Sequence, residues 1–158
     1  MVQFLENLFQ TTRPRQTLKN LSLVAPLIFS GNLFIKEKFL EACNVGDSPI
    51  FLFRDKEIEG LGFIDKMLGT SVLTQAMGEE FICVHETKKE LKAGDWVLIA
   101  TDGVTDILTE EEILKIVEKF EDVKKVCEKI IEEAEKKISF YNDDKTLIMI
   151  KVSEWVLT

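Results

Sequence analysis

Aspartates cluster where the apolar segments of this chain meet turns. Asp47 lies in "NVGDSPIF", Asp102 and Asp106 close "DWVLIATDGVTD", and Asp143 and Asp144 open "NDDKTLIMI". If those segments are strands, their tips can bring carboxylates to one edge of a sheet. Gathered carboxylates repel one another unless a cation joins them, and oxygen donors of this kind suit hard ions such as Mg²⁺ or Mn²⁺. A plainer reading exists for each residue, since Asp beside Gly or Asn often bonds nearby backbone N–H groups in a turn. Asp102 fits that reading least well, because it ends a run that is apolar on both faces, and a core strand gains nothing from a carboxylate at its tip.

The elements that must position these residues are legible from periodicity. Phe4, Leu5, Leu8 and Phe9 stand at helical spacing, which predicts a short helix over 2–10 before the break at "TTRPRQ". "LSLVAPLIF", "KFLEACNV" and "PIFLFR" are rich in β-favouring residues and are separated by turn compositions, so they predict an antiparallel meander with Pro26 at an edge or bulge. Residues 60–80 hold Gly60, Gly62, Gly69 and Gly78 and predict a loop with at most a short helix. "EFICVHE" and "DWVLIAT" predict two more strands, the second buried on both faces, for a count of five. Thr109 and Glu112 form a capping-box pattern that starts a helix over about 110–119. Val123, Val126, Cys127, Ile130, Ile131, Ala134 and Ile138 make one apolar stripe of a second helix, with Lys and Glu on its solvated face. "KTLIMIKV" is a closing strand. Strands mostly precede helices, so the class is α+β with an antiparallel sheet covered by helices.

Composition narrows the function. The 158 residues suffice for one domain with its own core, and 46% hydrophobic with 30% charged residues is a globular balance. A formal charge of −8 opposes a general phosphate-backbone binder, so no nucleic-acid partner is expected. Cys43, Cys83 and Cys127 are scattered and odd in number, which suggests neither a disulfide framework nor zinc and fits a reducing cytoplasm. No basic segment leads into an apolar run at the N-terminus, and "LSLVAPLIF" is too short to span a bilayer, so no membrane association is expected. His85, the only histidine, is assigned a structural or surface role, and Arg13 and Arg15 are assigned to a solvated loop.

Four segments in order, "NVGDS" at 44–48, "LTQAMG" at 73–78, "GDWVLIATDGVTD" at 94–106 and "NDDKT" at 142–146, resemble the bacterial branch of the metal-dependent protein phosphatase 2C family over roughly residues 20–152. The resemblance implies an antiparallel β-sandwich flanked by helices, and hydrolysis of phosphoserine or phosphothreonine in protein substrates by a water activated on Mn²⁺ or Mg²⁺. Asp102 matches the family's "DG" aspartate and Asp143 its late "DN" aspartate, both core metal ligands. Asp47 and Asp106 match acidic positions of a weaker third metal in many members. Asp144 stands where the family usually has Asn. Thr74 and Gln75 are placed by the resemblance in a loop near the site.

The family's N-terminal half also supplies a basic residue for phosphate, an early acidic motif and a "DG-x-GG" segment, and none precedes "NVGDS" here. The expectation is therefore one phosphatase 2C-like domain over 1–158 that lacks the usual N-terminal part, with an incomplete sandwich. Two readings stay open: a Ser/Thr phosphatase, or a catalytically incomplete phosphatase-like module that binds or regulates a partner. A sporulation-type regulator on the same fold ranks third, because "LTQAMG" and "DGVTDIL" look more like the general bacterial phosphatases. Open strand edges predict a homo-oligomer that covers them.

Overall fold

A computed structural model of the chain describes residues 8–11, 31–36, 38–70, 72–76, 79–137 and 143–153. The strands are β1 (Leu8–Thr11), β2 (Gly31–Lys36), β3 (Phe39–Asn44), β4 (Ile50–Arg54), β5 (Glu57–Gly60), β6 (His85–Glu90), β7 (Trp96–Ala100) and β8 (Thr146–Lys151). The helices are α1 (Asp102–Thr105), α2 (Glu110–Lys119) and α3 (Val123–Lys136). One sheet runs β1-β8-β7-β4-β5 and a second runs β2-β3-β6. Every strand pair in both is antiparallel.

The central strands are apolar throughout because both of their faces are covered. Along β7, Trp96, Leu98 and Ala100 join the core beneath the helices, while Val97 and Ile99 join the core between the sheets. In β8 the same alternation sends Leu147 and Met149 to the helices and Ile148 and Ile150 to the second sheet. Successive side chains of a strand point to opposite faces, so a strand packed on both sides cannot show a polar alternation. The outer sheet does show one, since β6 alternates half-buried and exposed positions from His85 to Glu90.

Both long helices follow their local signals. Thr109 Oγ1 accepts from the Glu112 N–H at 3.3 Å and the Thr109 N–H donates to Glu112 Oε2 at 2.9 Å, closing the capping box on α2. Val126, Cys127, Ile130 and Ala134 of α3 are fully buried against the five-stranded sheet. Burial of each large aliphatic side chain stabilises the fold by roughly 1.5–3 kcal/mol. Burial also pushes the Cys127 thiol up to about 12, so it remains a protonated apolar group. Among the described residues no helix is long and apolar enough to cross a membrane.

Several expectations need correction. Leu8–Thr11 is a strand paired with β8, where a helix over 2–10 was expected; residues 2–7 lie outside the described residues. The helical spacing of its apolar residues was outweighed by the open edge of β8, which supplies backbone partners. "KFLEACNV" and "PIFLFR" are both strands, but they lie in different sheets and do not form a meander. "LSLVAPLIF", Arg13 and Arg15 lie outside the described residues. The strand expected at "EFICVHE" begins only at His85, and Phe81 is 84% exposed. Two strands, β2 and β5, were not foreseen.

Candidate functional site

β7 ends at Ala100, and the chain turns at once into the short helix α1, whose first residue is Asp102. Thr101 fixes this corner to the start of β8: its hydroxyl donates to the Asp144 carbonyl at 3.0 Å and accepts from the Thr146 N–H at 3.1 Å. Gly103 then passes so close to the neighbouring turn that a Cβ at this position would lie 2.6 Å from the Asp144 carbonyl oxygen and 3.2 Å from that of Asp143. Asp102–Gly103 and the Asp143–Asp144 turn, which lie on either side of α2 and α3 in the chain, are thereby held against each other.

Asp47 arrives on the turn between β3 and β4. Gly46 adopts φ 105°, a left-handed conformation that glycine tolerates. Its N–H donates to Asp65 Oδ2 at 2.8 Å, while the Asp65 N–H donates back to the Gly46 carbonyl at 2.9 Å. This reciprocal clasp pins the loop after β5 onto the Asp47 turn. The buried Asp65 carboxylate also meets His85 Nε2 at 2.9 Å, so His85 holds the loop in place, as a structural role required. The neighbouring Thr74 N–H donates to the Asp65 carbonyl at 2.8 Å, and Gln75 brackets the Cys83 backbone.

The clasp delivers Lys66 into the acidic cluster. Its ammonium is 2.6 Å from Asp106 Oδ2, 3.9 Å from Asp102 Oδ2 and 4.0 Å from Asp47 Oδ2, and its side chain is only 14% exposed. Burial by itself would lower the Lys66 pKa, but the Asp106 hydrogen bond and charge, then Asp102 and Asp47, raise it above the ordinary lysine value. The Asp102 carboxyl is pushed up by burial and by the charges of Asp47 and Asp143, with Lys66 opposing. Asp143 is thus electrostatically part of the cluster, although it is exposed and its Oδ1 also accepts the Asp144 N–H at 2.9 Å in a local turn.

The structure therefore brings Asp47, Asp102 and Asp106 around one cation and sets Asp143 beside them. The donors around Lys66 are all carboxylate oxygens, one from each of Asp47, Asp102 and Asp106, and in kind they fit a hard divalent ion. As they stand, no group of three or more His, Cys, Asp or Glu side chains among the described residues is arranged to hold a metal. An adjoining cavity of about 490 Å³ is lined by Asp47, Lys66, Thr105, Asp106, Glu110 and Glu111, with apolar Phe51 and Ile113 behind. Among the described residues, Lys66 is the only basic one on its wall. Lys66 and Asp65 carried no signal in the sequence, because a "DK" pair in a Gly-rich loop has no periodicity and its position depends on the Gly46 clasp.

The Asp65 clasp has a testable pH dependence. Burial raises the Asp65 pKa, but bonds from Gly46, His85 and Gln75 outweigh it and leave the value below the ordinary aspartate range. A carboxyl lowered in the folded state stabilises at pH above its unfolded value and loses that stabilisation as pH falls through the folded one. Hydrogen exchange at the Gly46 amide should accelerate relative to core amides as the solution is acidified into the carboxylate range. In Asp65→Asn that acid-dependent increment should vanish; an unchanged profile would dissociate the clasp from Asp65.

Two antiparallel sheets, helices packed on one of them and carboxylates gathered at the ends of their strands define a phosphatase 2C-like protein. The chain belongs to the Stage II sporulation protein E (SpoIIE) family, whose model matches residues 8–153. This agrees with the resemblance to the bacterial phosphatase 2C family carried by "NVGDS", "LTQAMG", "GDWVLIATDGVTD" and "NDDKT". Among solved structures it is similar to the Mycobacterium tuberculosis serine/threonine phosphatase PstP/Ppp, with a TM-score of 0.69, 21% identity, and coverage of 77% of this chain and 58% of that one. The S. agalactiae serine/threonine phosphatase gives a TM-score of 0.70 and 18% identity over 77% of this chain and 57% of that one. The catalytic domain of PstP in complex with two manganese ions gives 0.64 and 20% over the same shares. The chain thus spans somewhat over half the length of these structures, and at these identities the likeness establishes the fold. No curated protein matches.

Proposed function

We propose that the chain is a metal-dependent protein Ser/Thr phosphatase that hydrolyses phosphoserine and phosphothreonine, working in a reducing cytoplasm on phosphoprotein substrates. The observation that carries this reading is the convergence of Asp47, Asp102 and Asp106 within 4.0 Å of one ammonium, with Asp143 adjacent, at the mouth of a cavity. Mn²⁺ or Mg²⁺ held by Asp102 and Asp143, and by Asp47 and Asp106 at a weaker position, would activate a water and supply positive charge to the phosphoryl oxygens. The chain's own residues do the positioning. Thr101 and Gly103 hold the backbone segments that carry Asp102 and Asp143 against each other, the Gly46–Asp65 clasp pins the turn that carries Asp47, and the acidic cavity wall makes a phosphate dianion's entry depend on a cation.

The test is hydrolysis of a small aryl phosphate by the 158-residue protein with and without Mn²⁺, beside Asp102→Asn. Mn²⁺-dependent turnover that falls by two or more orders of magnitude in the variant, about 3 kcal/mol of lost transition-state stabilisation, is the expected result. Turnover equal in both proteins would remove Asp102 from the reaction.

A second reading, a catalytically incomplete module that recognises a phosphoprotein or regulates a partner, is favoured by one observation: Lys66 already neutralises part of the cluster without a metal. Absence of turnover together with retained folding would select it. Under either reading the proposal includes a homo-oligomer that covers strands such as β5 and β6, which end their sheets among the described residues. Light scattering at working concentration should give at least twice the monomer mass, and a monomer would count against the assembly.

A further inference from the structure

We propose that the Lys66 ammonium is a tethered counterion, standing where a divalent cation would otherwise balance Asp47, Asp102 and Asp106, so that metal enters this end of the site only by displacing it. Three observations carry the inference. The ammonium lies within 4.0 Å of a carboxylate oxygen from each of the three aspartates, Asp47 on the turn between β3 and β4 and Asp102 and Asp106 at the two ends of α1. Its backbone is not free to wander, because the adjacent Asp65 is bonded in both directions to Gly46, one residue before Asp47. And in this arrangement the carboxylates face Lys66 without forming a ligand set for a metal among the described residues.

Like charges exclude one another from a shared site, and an ammonium about 4 Å from an incoming divalent ion opposes it even where water screens the pair. The Lys66 stem must then swing aside for metal to bind, and the cavity along Thr105 and Glu110 offers it room. The device sets a threshold: the cluster stays folded and partly neutralised at low divalent concentration and takes up metal only when the ion outcompetes a charge the chain carries itself. The inference rests on the carboxylates as the metal-holding end of the proposed site, and does not require catalysis by this chain.

The experiment is Mn²⁺ titration of the wild-type chain, Lys66→Met and Lys66→Arg by calorimetry, with folding followed by circular dichroism. Lys66→Met should bind Mn²⁺ roughly tenfold or more tightly than wild type, and its melting temperature should rise more on adding Mn²⁺. Lys66→Arg, which keeps the charge, should bind about as wild type does. If Lys66→Met unfolds without metal, restoration of its fold by Mn²⁺ supports the exchange of one cation for the other. A folded Lys66→Met that binds Mn²⁺ no more tightly than wild type, or an unfolded one that Mn²⁺ does not restore, overturns the proposal. Because binding and folding are read without turnover, an inactive chain that gains Mn²⁺ affinity in Lys66→Met would sink the phosphatase reading and leave the counterion standing.

Discussion

Replacing Arg54 by Met is expected to destabilise the protein by about 3 kcal/mol, the low end of the cost of leaving one member of a buried ion pair alone, because Asp95 is buried but Arg54 is 22% exposed. Asp95 is 1% exposed and receives Arg54 through both oxygens, from Nε at 2.8 Å and Nη2 at 2.5 Å. The same guanidinium donates to the Glu90 carbonyl at 2.8 Å, so one side chain ties the end of β4 to the turn before β7 and to the end of β6 in the other sheet. The Asp95 hydrogen bond is the main reason that the Arg54 pKa is raised. With Met at 54, Asp95 keeps the Lys92 N–H at 2.7 Å but loses its countercharge in a place water does not reach. Urea unfolding should show the loss. Arg54→Lys should recover only part of it, since an ammonium cannot reproduce the two-pronged contact. The double variant Arg54→Met with Asp95→Asn should be less destabilised than the sum of the single changes. Additive losses would show that the two residues act separately.

The second large effect is expected at Gly103. An added Cβ would lie 2.6 Å from the Asp144 carbonyl oxygen and 3.0 Å from its carbon, and both are backbone atoms that no rotamer change can move. Overpacking of this kind costs about 1–3 kcal/mol and occasionally more. Gly103→Ala should reach the upper end, because relief requires α1 and the Asp143–Asp144 turn to part. On the proposed phosphatase reading, the same parting separates the segments that carry Asp102 and Asp143, so Mn²⁺-dependent hydrolysis should fall more steeply than stability at temperatures where the variant remains folded. Gly60→Ala is the control: nothing lies within 4 Å of a Cβ there, and its stability should stay close to wild type. Equal denaturation midpoints for Gly103→Ala and wild type would refute the close contact.

Gly103 also shows where sequence reading had purchase. "DG" at the end of an apolar strand marked Asp102 as a carboxylate that a core strand does not need, and the structure adds what the glycine is for, the close approach of the Asp144 carbonyl. Local chemistry was legible wherever an element's signals lie within a few residues. The capping box of α2, the apolar stripe of α3 and the fully apolar run of β7 are such cases, and their bounds agree closely with the structure. The β4–β5 hairpin escaped notice because its turn places Asp55 and Lys56 at φ 51° and 67° without a glycine to mark it.

Read along the chain, the residues yield an inventory: which segments are apolar enough to be core strands, where helices begin, and that aspartates stand at the tips. These follow from side-chain periodicity and capping, which act over one or two turns of chain. Folding in three dimensions sends β3 and β4, neighbours in sequence, to opposite sheets and pairs Leu8–Thr11 with β8. It alone set Lys66 among Asp47, Asp102 and Asp106. Strand partnership and charge convergence depend on backbone hydrogen bonds and Coulomb contacts between residues far apart in the chain. No local pattern records them, because the free energy that selects them exists only once the sheets have packed.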